Sequence, residues 1–188
     1  MVDCGSTSNE AIEYLNQQNI RSIIIDHHEI NKPYPKSDVI INPKKLLTYN
    51  ENSFLCATAL TYFFIDILIK KTKSNFKLSN FLIYVLLATI CDVMPLRKIN
   101  KIIARNTLDD FNLKNNLALN HIFDQYNLKK EVTIEELGFL IGPISNDSGR
   151  LNYSKYGVEL LSTKDEKIIK DRSKNLININ KKRTKIEK

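Results

Sequence analysis

The chain has 188 residues, of which 43% are hydrophobic and 26% charged, and its formal net charge is +7. This length and composition predict one large globular domain, or one domain with a small appendage, and exclude a wholly disordered chain. The positive charge is almost entirely lysine and forms no arginine-rich stripe. It therefore only weakly indicates an anionic partner such as nucleic acid.

Cysteine content and hydropathy predict a cytoplasmic protein without a membrane segment. The three cysteines, Cys4, Cys56 and Cys91, are far apart and lack metal-type spacing, which favours a reduced intracellular environment. The longest apolar run, residues 81–91, is shorter than the roughly 20 residues that a membrane span requires. The N-terminus lacks the basic and apolar regions of a signal peptide.

The N-terminal region predicts alternating strands and one helix. "VDCG", at residues 2–5, is typical of a strand end, so we expect the chain to begin within a fold. Thr7 and Glu10 form a capping-box pattern, which predicts a helix to about Gln18. "RSIIID" and "DVIIN" predict two further strands, the first of them covered on both faces. This order predicts a parallel sheet with a right-handed crossover.

The rest of the chain is predicted to be mainly helical. "FLCATALTYFFIDILIK" is apolar nearly all round, which predicts a buried helix. Ser79 is expected to cap a second apolar helix that ends near Asp92. Further helices are predicted at residues 98–111, 116–126 and 133–140 and from 163 to the C-terminus, the last two opened by Thr133–Glu136 and Thr163–Glu166 capping boxes. We therefore predict an α/β fold with a short parallel sheet at the N-terminal side and a mainly helical second half.

Acidic and histidine side chains follow two predicted strands at their carboxyl ends. Asp3 ends the first strand, and Asp26, His27 and His28 end the second. Ligands bind at this edge of a parallel α/β sheet, because side chains there project into the crevice between loops. Asp92, at the end of a predicted helix, supplies a third acid. Carboxylates with a neutral imidazole predict a site for Mn²⁺ or Mg²⁺ rather than for structural zinc.

Structural roles are the alternative for each of these residues. A single histidine after a strand is more often a cap or a core residue than a ligand, but two adjacent histidines between Asp26 and Glu29 favour a functional site. For Asp92 considered alone, a turn hydrogen bond at a helix end is the default interpretation. His121, in the helical half, is interpreted as a surface or core histidine.

The segment "GPISNDSGRL" is a second candidate site and is predicted to be a loop. Its glycines, Gly142 and Gly149, permit close backbone approach. Its other polar residues offer small hydrogen-bond donors and a forked cation: Ser145, Asn146, Ser148 and Arg150. This combination suits a phosphate oxygen. An ordinary glycine turn whose arginine pairs with a carboxylate explains the same residues equally well, so both interpretations stay open.

In their order along the chain, "VDCG", "IIIDHHE", "INP", "LLATICDVMPL" and "GPISNDSGRL" resemble the DHH phosphoesterases, and among them the RecJ-type single-strand-specific DNA exonucleases. The resemblance extends over essentially the whole chain. It implies a DHH domain at residues 1–160 and, at residues 161–188, a helix that leads towards a further domain. It also implies single-stranded DNA as the partner, 5′→3′ hydrolysis, and a role in DNA repair and recombination.

The same resemblance implies a role for each candidate residue. Asp3 matches an aspartate that bridges two Mn²⁺ or Mg²⁺ ions, and His27 and Asp92 match ligands of one ion. His28 matches the histidine that faces the scissile phosphate, and Asp26 matches the acid that supports the histidine pair. The segment that faces the DNA backbone is matched by four loop residues, Ser145, Asn146, Gly149 and Arg150.

The sequence departs from the RecJ pattern at three points. It contains no D-x-D-G motif, which supplies most ligands of the other ion; it has no glycine within "LCATAL"; and Ile144 stands where an arginine is common. We therefore expect an N-terminally incomplete domain that keeps at most half of the two-ion site and is inactive by itself. The alternatives are one half of a split enzyme completed by a separate chain, and a non-catalytic nucleic-acid-binding module. A small-substrate phosphatase is disfavoured by the "GRL" loop.

Overall fold

The computed structural model describes residues 1–45, 51–128, 132–143 and 154–186. Contacts between residues divide the chain into two compact units, Met1–Thr107 and Leu108–Lys188. The domain boundary predicted between residues 160 and 161 stays a prediction.

A small parallel sheet lies in the first unit. Strands β1 (Ile23–Ile25) and β2 (Val39–Ile41) pair in parallel, and Val2 adds a parallel bridge to Ile25. The three segments therefore run in the same direction, with β1 in the middle. Ile24 and Ile25 are buried, whereas Ile23 is exposed, so β1 is covered on both faces only in part. The predicted parallel sheet is confirmed, and the three segments share its carboxyl edge.

Helix α1 (Asn9–Gln17) connects the segment around Val2 to β1. It provides the crossover that joining parallel strands requires. Ser8 occupies the position before the helix, and its side chain makes no capping hydrogen bond. The predicted helix is therefore confirmed, but the Thr7–Glu10 capping box is wrong. Ile12 is fully buried and anchors the helix in the unit.

Three longer helices follow the sheet: α2 (Ala57–Thr72), α3 (Leu82–Cys91) and α4 (Lys98–Asp110). Buried side chains from this region form one hydrophobic cluster with Ile25 of the sheet: Leu55, Cys56, Ala59, Leu60, Val85 and Ile103. Because Val85 belongs to α3, this cluster fixes the helix whose C-terminal end carries Asp92.

Helix α2 is less buried than its composition predicts. Ala57, Ala59 and Leu60 are buried, but Ile67 and Leu68 near its end are 55% and 48% exposed. The prediction of a helix buried along its whole length is therefore wrong for its second half. An apolar surface all round a helix shows that burial is tolerated, and the presence of packing partners decides whether burial occurs.

Helix α3 ends in a hydrogen-bonded turn whose left-handed residue is a valine. The backbone N–H groups of Val93 and Met94 donate to the carbonyls of Ile90 and Thr89, at 3.0 and 2.9 Å. These are the two bonds of a Schellman motif. Val93 adopts the left-handed conformation that the motif requires, with a φ of 53°. This conformation costs a β-branched residue about 1–2 kcal/mol. The helix ends beside Asp92, as predicted.

The second unit contains four helices in its described part: α5 (Leu117–Gln125), α6 (Ile134–Glu136), α7 (Ser154–Ser162) and α8 (Glu166–Ile186). Helix α6 continues into a π-helical turn, Leu137–Ile141. Helix α8 packs against α5 and α7. The predicted helical second half is confirmed. No helix within the described ranges combines the length and the apolar character that crossing a membrane requires.

The caps predicted for three further helices are present in one case and absent in two. The Thr133–Glu136 capping box is present as predicted. Helix α8 is instead capped by Asp165, whose carboxylate accepts the N–H of Lys167 at 2.8 Å, so the predicted Thr163–Glu166 box is wrong. Aspartate is the stronger capping residue at this position. Ser79 does not cap α3, because it lies within a 3₁₀ turn that precedes the helix.

Gly5 allows the first loop to pass close to strand β1. Its φ of 112° is accessible to glycine and rarely to other residues. A Cβ at this position would lie 3.2 Å from Ile24 Cγ2 and 3.3 Å from Met1 Cε. Because the loop runs this close to β1, the N–H of Ser6 reaches the carboxylate of Asp26, at 3.0 Å.

Replacing Gly5 with alanine should destabilise the fold by about 1–3 kcal/mol, because the new side chain is strained and crowds Ile24. Denaturant unfolding followed by circular dichroism would measure the change in the free energy of unfolding. Gly138→Ala, in the helical segment Leu137–Ile141, is the matched control, since alanine is favoured in helices. Equal stability of Gly5→Ala and the parent chain would contradict the role given to Gly5.

Candidate metal centre

The candidate site lies where three segments of the first unit end. Asp3 follows the Val2 bridge, Asp26–His28 follow β1, and Asp92 follows α3. Parallel strand directions bring the first two segments to the same edge of the sheet. Helix α3 joins them because it shares the hydrophobic cluster with β1. The structure thus brings the five predicted residues together, and their individual roles stay predictions.

Buried Asp26 organises the loops of the site. Its side chain is 1% exposed, and its Oδ2 accepts the N–H of Ser6 at 3.0 Å. Its Oδ1 accepts the backbone N–H groups of His27 and His28, at 2.8 and 3.2 Å, and lies 2.7 Å from His28 Nδ1. Burial alone would raise the pKa of Asp26, but the hydrogen bonds from Ser6 and His28 outweigh it and hold this pKa far below its usual range. Asp26 is therefore a fixed negative charge.

His28 is oriented by Asp26 and open to solvent. The hydrogen bond to Asp26 raises the pKa of His28 above its ordinary value, and burial offsets this only in part. The negative charges of Asp26, Asp3 and Asp92 act in the same direction. With Nδ1 bonded to Asp26, Nε2 remains for an external group. Because the side chain is 60% exposed, a protonated His28 can donate a hydrogen bond to an incoming anion.

His27 faces two carboxylates. Its side chain is 9% exposed, and its Nε2 lies 3.3 Å from Asp3 Oδ1 and 3.8 Å from Asp92 Oδ2. Neighbouring ligands of an octahedral Mg²⁺ stand about 3 Å apart, given metal–oxygen distances of about 2.1 Å. His27 Nε2 therefore lies at nearly the spacing of neighbouring ligands from each of the two carboxylates, and small shifts would bring it to that spacing.

The electrostatics of the site also favour a cation. Burial raises the pKa of Asp92, His27 opposes this shift, and the charge of Asp3 adds to it. A divalent cation between the carboxylates would remove the repulsion and the cost of burying charge. Ligand atoms of Asp3, His27 and His28 also lie within 4.8 Å of one another, so His28 offers a further nitrogen nearby. This mixed oxygen and nitrogen set fits Mn²⁺ or Mg²⁺.

The second ring nitrogen of His27, Nδ1, affects how tightly this residue would bind a metal ion. Nδ1 is buried and has no hydrogen-bond partner among the described residues. A histidine that binds a metal through Nε2 carries its hydrogen on Nδ1 and usually donates it to an acceptor. In this site packing alone orients the ring of His27, which predicts weak metal binding.

Asn42 connects the loops of the site but was not among the predicted site residues. Its Nδ2 donates to Ser6 Oγ at 2.7 Å and to the carbonyl of His28 at 3.0 Å. Its Oδ1 accepts the N–H of Lys44 at 2.9 Å. Asn42 directly follows β2, as the predicted acids follow their own segments. The same strand-end criterion, applied to "INP", would have identified it.

The predicted phosphate-binding loop falls largely outside the described residues. This applies to Ser145, Asn146, Ser148, Gly149 and Arg150, whose role stays a prediction. Gly142 and Pro143 are described and continue the helical segment, so the predicted loop is wrong for these two residues.

Residues 1–90 match the model of the DHH family, N-terminal domain. The match includes Asp3, Asp26, His27 and His28. The sequence is also 29% identical over 198 residues to the single-stranded-DNA-specific exonuclease RecJ of Haemophilus influenzae, covering 99% of this chain and 34% of that relative. RecJ of Escherichia coli is 28% identical over 172 residues, covering 85% of this chain and 30% of that relative. The chain thus spans about a third of the length of the curated relatives that it matches.

The structural likeness continues beyond the DHH match. The crystal structure of RecJ from Thermus thermophilus in complex with Mn²⁺ superposes with a TM-score of 0.86 at 21% identity, covering 99% of this chain and 28% of that chain. Its complex with Mg²⁺ superposes with a TM-score of 0.74 at 19% identity, covering 99% and 26%. The predicted resemblance to RecJ and the predicted α/β DHH fold are confirmed.

The pKa of His28 should lie above the ~6.5 of an unperturbed histidine, because Asp26 accepts its hydrogen bond. A raised folded-state pKa means that this pair stabilises the fold below about pH 6.5, and that the contribution is lost as pH rises through the folded-state pKa. NMR titration of the metal-free chain would measure it. Asp26→Asn should lower the His28 pKa, whereas Asp66→Asn, at an acid that pairs with Lys70 on α2, should leave it unchanged.

Removing the Asp26 charge should also destabilise the fold by about 2–4 kcal/mol, since several hydrogen bonds to a buried carboxylate are weakened together. Chemical-shift dispersion would verify that the variant is folded during the titration. A His28 pKa below 6.5 in the parent chain would show that Asp26 does not hold its proton.

Proposed function

We propose that this chain forms the DHH domain of a metal-dependent exonuclease that cleaves single-stranded DNA in repair and recombination. The observation that carries this proposal is the position of His27 Nε2, 3.3 Å from Asp3 and 3.8 Å from Asp92, with His28 beside them. A cation site next to an exposed and oriented histidine suits a phosphodiester, because both would attract its negative oxygens.

The relatives support this substrate and cofactor. RecJ of Haemophilus influenzae is by name a single-stranded-DNA-specific exonuclease, and crystal structures of RecJ from Thermus thermophilus are of complexes with Mn²⁺ or Mg²⁺. These proteins extend well beyond the matched region, so their activity applies to this chain as a proposal. We infer Mn²⁺ or Mg²⁺ as the cofactor, single-stranded DNA as the partner and the cytoplasm as the location. The 5′→3′ direction rests on the resemblance alone.

Each residue of the site would have a distinct role. Asp3, His27 and Asp92 would hold the cation. A bound divalent cation would lower the pKa of a ligated water and neutralise charge on a phosphate oxygen. His28, whose pKa is raised, would donate a hydrogen bond to that phosphate. Asp26 would keep the ring of His28 in the orientation that leaves Nε2 free.

The segment after Pro143, which the sequence predicts to be a loop, is proposed to contact the DNA backbone. Its glycine, hydroxyl, amide and guanidinium groups match the requirements of phosphate oxygens. The proposed contacts are Ser145, Asn146, Gly149 and Arg150.

The described ligands suffice for one cation. Asp3, His27 and Asp92 are three donors, and displacement at a phosphodiester with two ions requires further acids. We infer that another polypeptide segment, in the same protein or in a separate chain, would complete the site. A polypeptide of residues 1–188 would then bind metal and single-stranded DNA without efficient cleavage.

Mn²⁺ should bind the parent chain at one specific site and weakly, because three protein ligands leave the other octahedral positions to water. His27→Ala should reduce the affinity by about tenfold or more. His121→Ala, at a histidine on α5 in the second unit, is the matched control and should bind like the parent. Titration calorimetry would measure the affinities. Equal and nonspecific uptake by parent and His27→Ala would refute this site.

Purified residues 1–188 should digest single-stranded DNA slowly or not at all with Mn²⁺, because one ion provides only part of the charge stabilisation. Release of nucleotides from an end-labelled oligonucleotide would measure the activity. Asp3→Asn and His28→Ala preparations would report contaminating nuclease, since the same contaminant would act in all three. Robust digestion that both substitutions abolish would contradict the expectation of a missing second ion.

A further inference from the structure

Four helices in the described part of the chain end in the same backbone motif. At the ends of α1, α2, α3 and α5, two hydrogen bonds run back three and five residues, and one residue is left-handed. These left-handed residues are Asn19, Lys73, Val93 and Asn127, with φ of 56°, 52°, 53° and 52°. All four are exposed, so the chain itself compares different side chains in one backbone conformation at exposed positions.

Val93 is the unfavourable choice among the four. Asparagine, used twice, adopts the left-handed conformation more readily than other non-glycine residues, and lysine lacks a branch at Cβ. Valine is branched there and crowds the backbone in this conformation. Its side chain also gains nothing from burial, because Val93 is 85% exposed. Neither the turn nor the hydrophobic core accounts for a valine at this position.

Val93 differs from the other three residues in what it adjoins. It directly follows Asp92, so the two Cα atoms are about 3.8 Å apart. Asp92 Oδ2 lies 3.8 Å from His27 Nε2 within the metal centre. An exposed apolar side chain therefore sits one residue from a proposed metal ligand, at a helix end that hydrogen bonds hold in place.

We propose, on the basis of the function proposed above, that Val93 is a substrate-contact residue that packs against a nucleobase of single-stranded DNA. With a phosphate drawn to the cation and to His28, the base attached to that nucleotide is the largest apolar surface of the ligand near the site. Bases of single-stranded DNA are unpaired, and each offers a flat face against which side chains can pack. Contact with DNA would bury the exposed valine and offset the cost of its backbone conformation.

Three substitutions separate the side-chain contact from the turn. Val93→Thr keeps the branched shape and the backbone cost but replaces a methyl group with a hydroxyl. Val93→Asn relieves the backbone and should raise the Tm by about 3 °C. Val93→Ile keeps an apolar branched side chain and should bind like the parent. Asn127→Val is the matched control, which places valine in the same motif on α5 and should lower the Tm by a similar amount without affecting DNA binding.

Fluorescence anisotropy of a labelled oligothymidylate with the full chain and Mn²⁺ would measure affinity. Val93→Thr and Val93→Asn should each bind roughly fivefold more weakly, as expected for losing burial of one or two methyl groups. An oligomer of equal length with abasic sites should bind the parent and Val93→Thr equally. Calorimetry should give unchanged Mn²⁺ affinity for the Val93 variants.

The outcomes separate this inference from the proposed function. If the parent binds oligothymidylate and the Val93→Thr and Val93→Asn variants bind it equally well, Val93 does not contact DNA and the proposed function stands. If the abasic oligomer still distinguishes Val93→Thr from the parent, the contact is not with a base and the inference is overturned. If the parent itself does not bind oligothymidylate, the proposed function fails and this inference fails with it.

Discussion

The buried carboxylate of Asp26 is the constraint on which the rest of the site depends. One oxygen accepts the N–H of Ser6 from the first loop, and the other accepts from His27 and His28 in the second loop. Removing such a group from water is unfavourable unless its lone pairs are satisfied. Satisfying them requires both loops to approach within hydrogen-bond distance of Asp26. The hydrogen bonds that stabilise the buried carboxylate therefore also fix the position of His27. Asn42, which directly follows β2, extends the same network through its hydrogen bonds to Ser6 and to the carbonyl of His28.

Much of this arrangement could be predicted from the sequence, because it follows from the polarity and position of short segments. A run of isoleucines before Asp26 indicates a strand, and parallel strands place their final residues at one edge. Asp3 could be placed there although the segment before it makes only a single bridge to β1. Asp92 could be placed at a helix end because it directly follows an apolar run and precedes Pro95.

The errors concern features that composition does not determine. The outer half of α2 is apolar yet exposed, because the sequence of a helix does not state whether another element packs on it. Helix α1 begins after Ser8 without a side-chain cap, and α8 is capped by Asp165 rather than by Thr163. Several polar residues precede each helix, and the sequence does not determine which of them accepts a hydrogen bond from the first turn. Asn42 was missed because an amide lacks the charge that draws attention to a strand end, although its hydrogen bonds are as specific.

The separate origins of the metal ligands have a thermodynamic consequence. Asp3 and His27 belong to segments that Asp26 and Asn42 join by hydrogen bonds, whereas Asp92 depends on the docking of α3 through Val85. Partial unfolding that releases the end of α3 would remove one ligand and leave the other two in place. A cation bound by all three selects conformations in which the helix is docked, and its binding free energy adds to the local stability of α3. Hydrogen exchange of the α3 amides would then depend on metal concentration, while exchange in the Asp26 network would depend on it far less.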